Sequence, residues 1–185
     1  MTLTEIKTLQ HRVGAVPDGF WGPKSIAACQ EHLRRLMPKK NPWPGTTQAA
    51  LTRFYGAPGD ESQLVNLPVA GMKYEGKPVR TVRCHRKVAE SLGRVLAEIA
   101  QGPARRVLER YAGCYNNRPM RNGSLPSLHA RGAAIDLDPD DNGLYAPWPV
   151  RATMPIEVME AFAREGWKAA GAFWGRDAMH FEATS

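Results

Sequence analysis

The sequence predicts an α+β fold with an antiparallel sheet. Helical periodicity runs through the first 55 residues and returns near residues 86–101 and 155–166. Two short stretches, 79–84 and 133–137, instead alternate every second residue. Helical and strand patterns follow each other without regular βαβ alternation, which disfavours a parallel sheet. The 185 residues have room for one domain of about 120 residues and a small module. The expected organisation is a three-helix module over residues 1–57. A second domain over 58–185 would hold a central antiparallel sheet flanked by helices.

Thr2 or Thr4 caps the first helix, with Glu5 placed for a capping box and Ile6, Leu9 and Val13 on one face. Asp18-Gly19 is a turn, and Pro23 opens a second helix to about Met37. Ile26, Cys29, Leu33 and Leu36 face inward there, and Lys24, Glu31, Arg34 and Arg35 outward. Pro38, Pro42, Pro44 and Gly45 break the chain before a third helix, Thr47 to Tyr55. Gly56–Asp60 has a linker's composition. Residues 64–84 read as a hairpin turning at Gly76, with Val79, Val82 and Cys84 in the second strand. A helix from about Arg86 to Gln101 carries the stripe Val88, Leu92, Val95, Leu96, Ile99. In the strand 133–137, Ile135 and Leu137 share one face, and Asp136 and Asp138 are expected together on the other. A helix over 155–166 buries Ile156, Met159 and Phe162. The closing Met179-His-Phe181-Glu alternates, aiming His180 and Glu182 to one side.

With 43% hydrophobic residues and moderate charge the chain is not disordered, and no apolar run of 18 or more residues marks a transmembrane helix. The N-terminus lacks a signal-peptide core, so the expectation is synthesis in a cytoplasm and action in the periplasm or wall after release. Cys29, Cys84 and Cys114 lack any CxxC spacing and read as buried free thiols. The net charge of +7 is uneven: 20 Lys and Arg stand against 9 Asp and Glu in residues 1–125, and 5 against 9 in 126–185. A basic front suits an anionic polymer. The chain is expected to be a monomer that binds no nucleic acid.

The residues that carry chemistry lie in two segments, Ser127–Asp136 and Asp177–Glu182. They supply two imidazoles and a carboxylate, with a second carboxylate three residues before the last His. Three N/O ligands, an open fourth position and a nearby acid make a catalytic zinc site, whereas a structural site closes the fourth position. A lone His on a strand is ordinarily a packed core residue, but the joint pattern outweighs that reading. His11, His32 and His85 sit among charged neighbours and read as solvated, and Asp138, Asp140 and Asp141 as a solvated loop without EF-hand spacing. No phosphate loop or nucleophile elbow occurs.

Two resemblances sharpen this. Ile6-Lys-Thr-Leu9-Gln10 with Pro17-Asp-Gly-Phe-Trp-Gly-Pro-Lys-Ser25 resembles the small peptidoglycan-binding domain of wall hydrolases, with Trp21 shifting the usual order. Tyr115-Asn-Asn-Arg118, the Ser-x-His-x-x-Gly-x-Ala-x-Asp stretch from Ser127, and Gly166-Trp167 with Asp177-x-x-His180-Phe181 resemble the D-alanyl-D-alanine carboxypeptidase and L-alanyl-D-glutamate endopeptidase family. Those zinc peptidases share their fold with the hedgehog signalling domain. Ala178 stands where they often have Pro, and Ala170–Gly175 alters a Gly-rich turn before the last motif. The resemblance implies His129, Asp136 and His180 as Zn2+ ligands, Asp177 as general base and Arg118 as the group steadying carbonyl or carboxylate. Ser127 reads as a substrate contact or as the residue that positions the His129 loop, with Arg121 and Arg131 as further substrate contacts. The expected function is a phage-type endolysin that hydrolyses an amide of the bacterial peptidoglycan stem, L-Ala–D-Glu or another. The alternative is a non-catalytic zinc-containing wall-binding protein.

Overall fold

A computed structural model of the chain describes residues 1–121 and 123–185. Helix α1 (Leu3–Arg12) begins at a capping box: Thr2 Oγ1 accepts from the Glu5 N–H and Glu5 accepts from the Thr2 N–H. Gln10, fully buried, then fixes the following loop by donating to Asp18 Oδ1 and the Phe20 carbonyl and accepting from the Gly19 N–H. Helix α2 (Pro23–Leu36) starts on proline and buries Cys29 and Leu33, while Ile26 and Leu36 are half-buried. Helix α3 (Gln48–Tyr55) is capped by Thr47.

Strands β1 (Leu64–Tyr74) and β2 (Lys77–His85) form an antiparallel hairpin. Its two turn residues, Glu75 and Gly76, both have positive φ, 48° and 76°, as a two-residue hairpin turn requires. Helix α4 (Ala89–Gln101) starts later than its apolar pattern predicts, because the preceding residues close a turn in which the Val88 N–H donates to the His85 carbonyl. Leu92, Val95, Leu96 and Ile99 bury its stripe.

The second sheet is built from β3 (Tyr111–Gly113), β4 (Ala134–Leu137), β5 (Lys168–Ala169) and β6 (His180–Glu182) in the order β3-β4-β6-β5, antiparallel throughout. Helices α5 (Ile156–Arg164) and α6 (Ala170–Trp174) accompany it. On the inner face Ile135, Leu137 and Phe181 are fully buried, and Phe181 stacks on Phe162 at 4.0 Å between ring centroids. The register sets Asp136 directly opposite His180.

The three N-terminal helices share one continuous core with the rest of the chain. Arg12 forks onto Glu160, with Nε to Oε1 at 2.9 Å and Nη2 to Oε2 at 2.6 Å, and also pairs with Glu157. His32 Nε2 lies 2.8 Å from the same Glu160. Trp43 Nε1 donates to the Glu165 carbonyl and its ring meets Trp167 edge-on. The Tyr55 hydroxyl donates to the Ala183 carbonyl at 2.7 Å. The three cysteines are free and buried. Among the described residues no helix is long and apolar enough to cross a membrane.

Candidate metal centre

His129 rides on a 3₁₀ turn, Leu128–Arg131, capped by Ser127, whose Oγ accepts from the His129 N–H at 3.3 Å. Gly132 ends that turn in the left-handed region at φ 64° and starts the path into β4. A side chain there would set its Cβ 2.8 Å from Leu64 Cδ2 and 2.9 Å from the His85 nitrogen, so glycine is required twice over. Three residues into the strand side, Asp136 points away from the core face that Ile135 and Leu137 occupy, toward His180 on β6.

Three donor atoms converge. His129 Nε2 is 3.2 Å from Asp136 Oδ1, His180 Nδ1 is 2.9 Å from the same oxygen, and the two imidazole nitrogens are 3.2 Å apart. A tetrahedral zinc with bonds of about 2.0–2.1 Å holds its donors about 3.3 Å apart, so this set fits the ion. The ring nitrogens are assigned by their outer partners. His129 Nδ1–H donates to the Cys114 carbonyl at 2.8 Å, which leaves Nε2 facing inward with its lone pair. His180 Nε2 faces Glu182 Oε2 at 3.6 Å, an ion-pair contact longer than a hydrogen bond, which leaves Nδ1 inward. Burial opposes charge on Asp136 and His180. For Asp136 the hydrogen bonds from both histidines prevail and hold the carboxyl well below the usual range. For His180 burial is likewise outweighed, by Asp136 and Glu182, and the metal-free imidazole is held up at about 10.

Asp177 precedes β6 at φ 57°, a left-handed conformation uncommon for a residue with a side chain. Its carbonyl accepts the His180 N–H at 2.9 Å. Oδ1 is buried and has no hydrogen-bond partner among the described residues. Burial, with the Asp136 charge adding to it, raises the Asp177 pKa against the opposing pull of His180 and Arg121. An orphaned, strained, proton-seeking carboxylate beside three convergent donors suits a base that acts on a group not yet bound.

These residues line one pocket of about 190 Å³. Arg118, Arg121 and Ser127 line it too, so the structure brings them to the donor cluster. Arg131 goes elsewhere. It is buried and turned toward α3, where it donates to the Gly56 carbonyl, Gln48 Oε1 and Thr52 Oγ1. It ties the His129 turn to the N-terminal helices and is not among the residues that line the pocket.

Segment 121–183 matches the family model described as D-alanyl-D-alanine carboxypeptidase. The match takes in His129, Asp136, Asp177 and His180 and covers about a third of the chain; Arg118 and the N-terminal helices lie outside it. Peptidases of this family are zinc-dependent and act on peptidoglycan, and the chain is similar to them over that third, which holds the His-Asp-His cluster that could bind a metal. No curated protein and no solved structure matches the chain.

Several residues depart from their sequence reading. Asp138 does not join Asp136, because β4 ends at Leu137 and Asp138, at φ 51°, turns to Arg110 and Asn142. It is buried rather than solvated. His85 is also buried: Nδ1 accepts from the Lys87 N–H and Nε2–H donates to the Tyr55 carbonyl. Burial lowers its pKa. His32 is half-buried against Glu160. Alternation aims Glu182 to the side of His180, but nothing in the sequence shows that it backs that ring. Thr184 Oγ1 fixes Glu182, donating to Oε1 at 2.6 Å. Trp174 and Arg176 line the pocket without any sequence signal beyond the altered turn.

Proposed function

We propose that this chain is a zinc-dependent peptidoglycan hydrolase of the endolysin type that cleaves an amide in the stem peptide, L-Ala–D-Glu or a neighbouring bond. The observation that carries the reading is the buried, unpartnered Asp177 Oδ1 in the pocket where His129, Asp136 and His180 converge. Zinc held by those three side chains supplies Lewis acidity, lowering the pKa of a water and polarising the scissile carbonyl. Asp177 takes the proton of the attacking water on its free oxygen and returns it to the leaving amine. Its raised pKa suits both halves of that exchange. Arg118 on the pocket wall steadies the charge that develops on the carbonyl oxygen. Ser127 holds the His129 turn through its cap rather than entering the chemistry.

On this reading the N-terminal helices serve to hold the wall, and the basic front adds attraction to anionic envelope polymers. The enzyme would reach the wall through a membrane lesion at lysis. The test is mass spectrometry of purified peptidoglycan digested with and without a chelator. Chelator-sensitive fragments with new amino termini are expected, and their masses name the bond. Intact peptidoglycan from protein holding one zinc would favour the non-catalytic wall binder, and new reducing ends would mean a glycosidase.

A further inference from the structure

Six arginines outside the pocket meet a carboxylate. Arg12, Arg35, Arg83, Arg94, Arg110 and Arg164 each pair with Asp or Glu. The three arginines of the metal pocket do not. Among the described residues Arg118, Arg121 and Arg176 have no carboxylate partner, although all three line the same pocket. Among the described residues the Arg118 guanidinium donates to the Pro119 carbonyl, and the Arg176 guanidinium lies 6.0 Å from the Tyr145 ring centroid.

The acids of the pocket are not available to neutralise them. Asp136 is engaged by two imidazoles, Glu182 by His180 and Thr184, and Asp177 is the base. With a dication in place the pocket therefore carries an excess of positive charge. The cations also come from two separate segments. Arg118 and Arg121 precede the His129 turn, and Arg176 follows α6. One terminal carboxylate is satisfied by one guanidinium fork. With Arg118 at the carbonyl oxygen, Arg121 and Arg176 on separate segments call for carboxylates on more than one residue of the ligand. Trp174, 47% exposed, stacks on His180 at 5.6 Å and gives the pocket a flat apolar wall next to Arg176.

Resting on the peptidase reading above, we infer that the pocket selects an acidic peptide with free carboxylates on more than one residue, and that Arg176 on the Trp174 wall reads one of them. A substrate whose carboxylates are amidated leaves these cations desolvated and unpaired, and is disfavoured for that reason. Arg176 is then a specificity residue that touches substrate without taking part in bond breaking.

The experiment uses the full-length zinc-loaded protein and two synthetic peptides. One is L-Ala–D-Glu–diaminopimelate–D-Ala with its carboxylates free, and the other has the Glu and diaminopimelate carboxylates amidated. The acidic peptide is expected to exceed the amidated one by about tenfold or more in kcat/KM. Arg176→Gln should remove most of that preference through KM, with little change on the amidated peptide. Calorimetric binding of both peptides to zinc-loaded Asp177→Asn protein gives the same comparison without turnover. Equal use of the two peptides, or a preference untouched by Arg176→Gln, overturns the inference while leaving the peptidase reading intact. Arg176-dependent binding of the acidic peptide without cleavage supports the inference and removes the peptidase reading. If neither peptide binds or is cut, both fall.

Discussion

Glu182 stands behind His180: its Oε2 is 3.6 Å from Nε2, while Nδ1 on the other edge of the ring is 2.9 Å from Asp136. The pair occupies alternate positions of one three-residue strand, so the backbone that delivers the imidazole also delivers the carboxylate that orients it. Thr184 holds the carboxylate from beyond the strand. Glu182→Gln should weaken zinc binding by about 10–100-fold without unfolding the protein. Competition against a chromophoric chelator measures the affinity. Unchanged affinity would mean that the ring is oriented by Asp136 alone.

Removing a donor is a harsher change. His129→Ala leaves two convergent ligands, and the protein should purify with far less than one zinc per chain and lose hydrolysis. Metal analysis beside a turbidity assay on wall preparations checks both. Chelation of the unaltered protein should abolish activity, and added zinc should restore it.

Asp177→Asn separates binding from chemistry. The variant should keep one zinc per chain and lose roughly 10²–10⁴-fold in kcat. Asn also tolerates the left-handed backbone found at φ 57°, so the fold should survive. Retention of full activity with bound zinc would place the base elsewhere.

The acid limb of stability should run through Glu160. Burial resists its ionisation, but hydrogen bonds from Arg12 and His32 prevail and depress its pKa. A carboxylate depressed on folding contributes stability above its unfolded pKa of about 4.3, and that contribution is lost as pH falls through the lower folded value. Glu160→Gln should cost roughly 2–3 kcal/mol at pH 7 and little at pH 2–3. Denaturant titrations at the two pH values give the comparison.

The N-terminal helices should prove indispensable to the remainder. Without residues 1–57, Trp167 loses the edge of Trp43, the Ala183 carbonyl loses Tyr55, and Glu160 keeps no cation. Residues 58–185 produced alone should aggregate or lack a cooperative transition, seen by gel filtration and circular dichroism. A monomeric, cooperatively folding fragment would make the helices a detachable module.

The His-Asp-His cluster is legible because strand alternation is read locally. Asp136 and His180 lie on strands whose alternation fixes their side, and Gly132 between His129 and β4 supplies the bend. What escaped is what depends on distant pairing. Arg12 and Glu160 are separated by 148 residues, and no spacing in the sequence links them. His85 reads as solvated beside Arg86 and Lys87, yet the hairpin register buries it against Tyr55. Arg131 looks like a pocket residue from its place two after His129, but the 3₁₀ turn swings it to α3. Strands β3 and β5, of three and two residues, are too short to carry a period.

Trp174 stacked on His180 also makes the centre optically addressable. Of the five tryptophans, Trp43, Trp148 and Trp167 are buried, Trp21 is half-buried, and Trp174 is the exposed one. A protonated imidazole quenches a stacked indole, and loading with zinc strips that proton. The chain therefore carries an intrinsic fluorophore whose red-edge emission should brighten as the site fills, and stopped-flow mixing could time occupancy with no label attached.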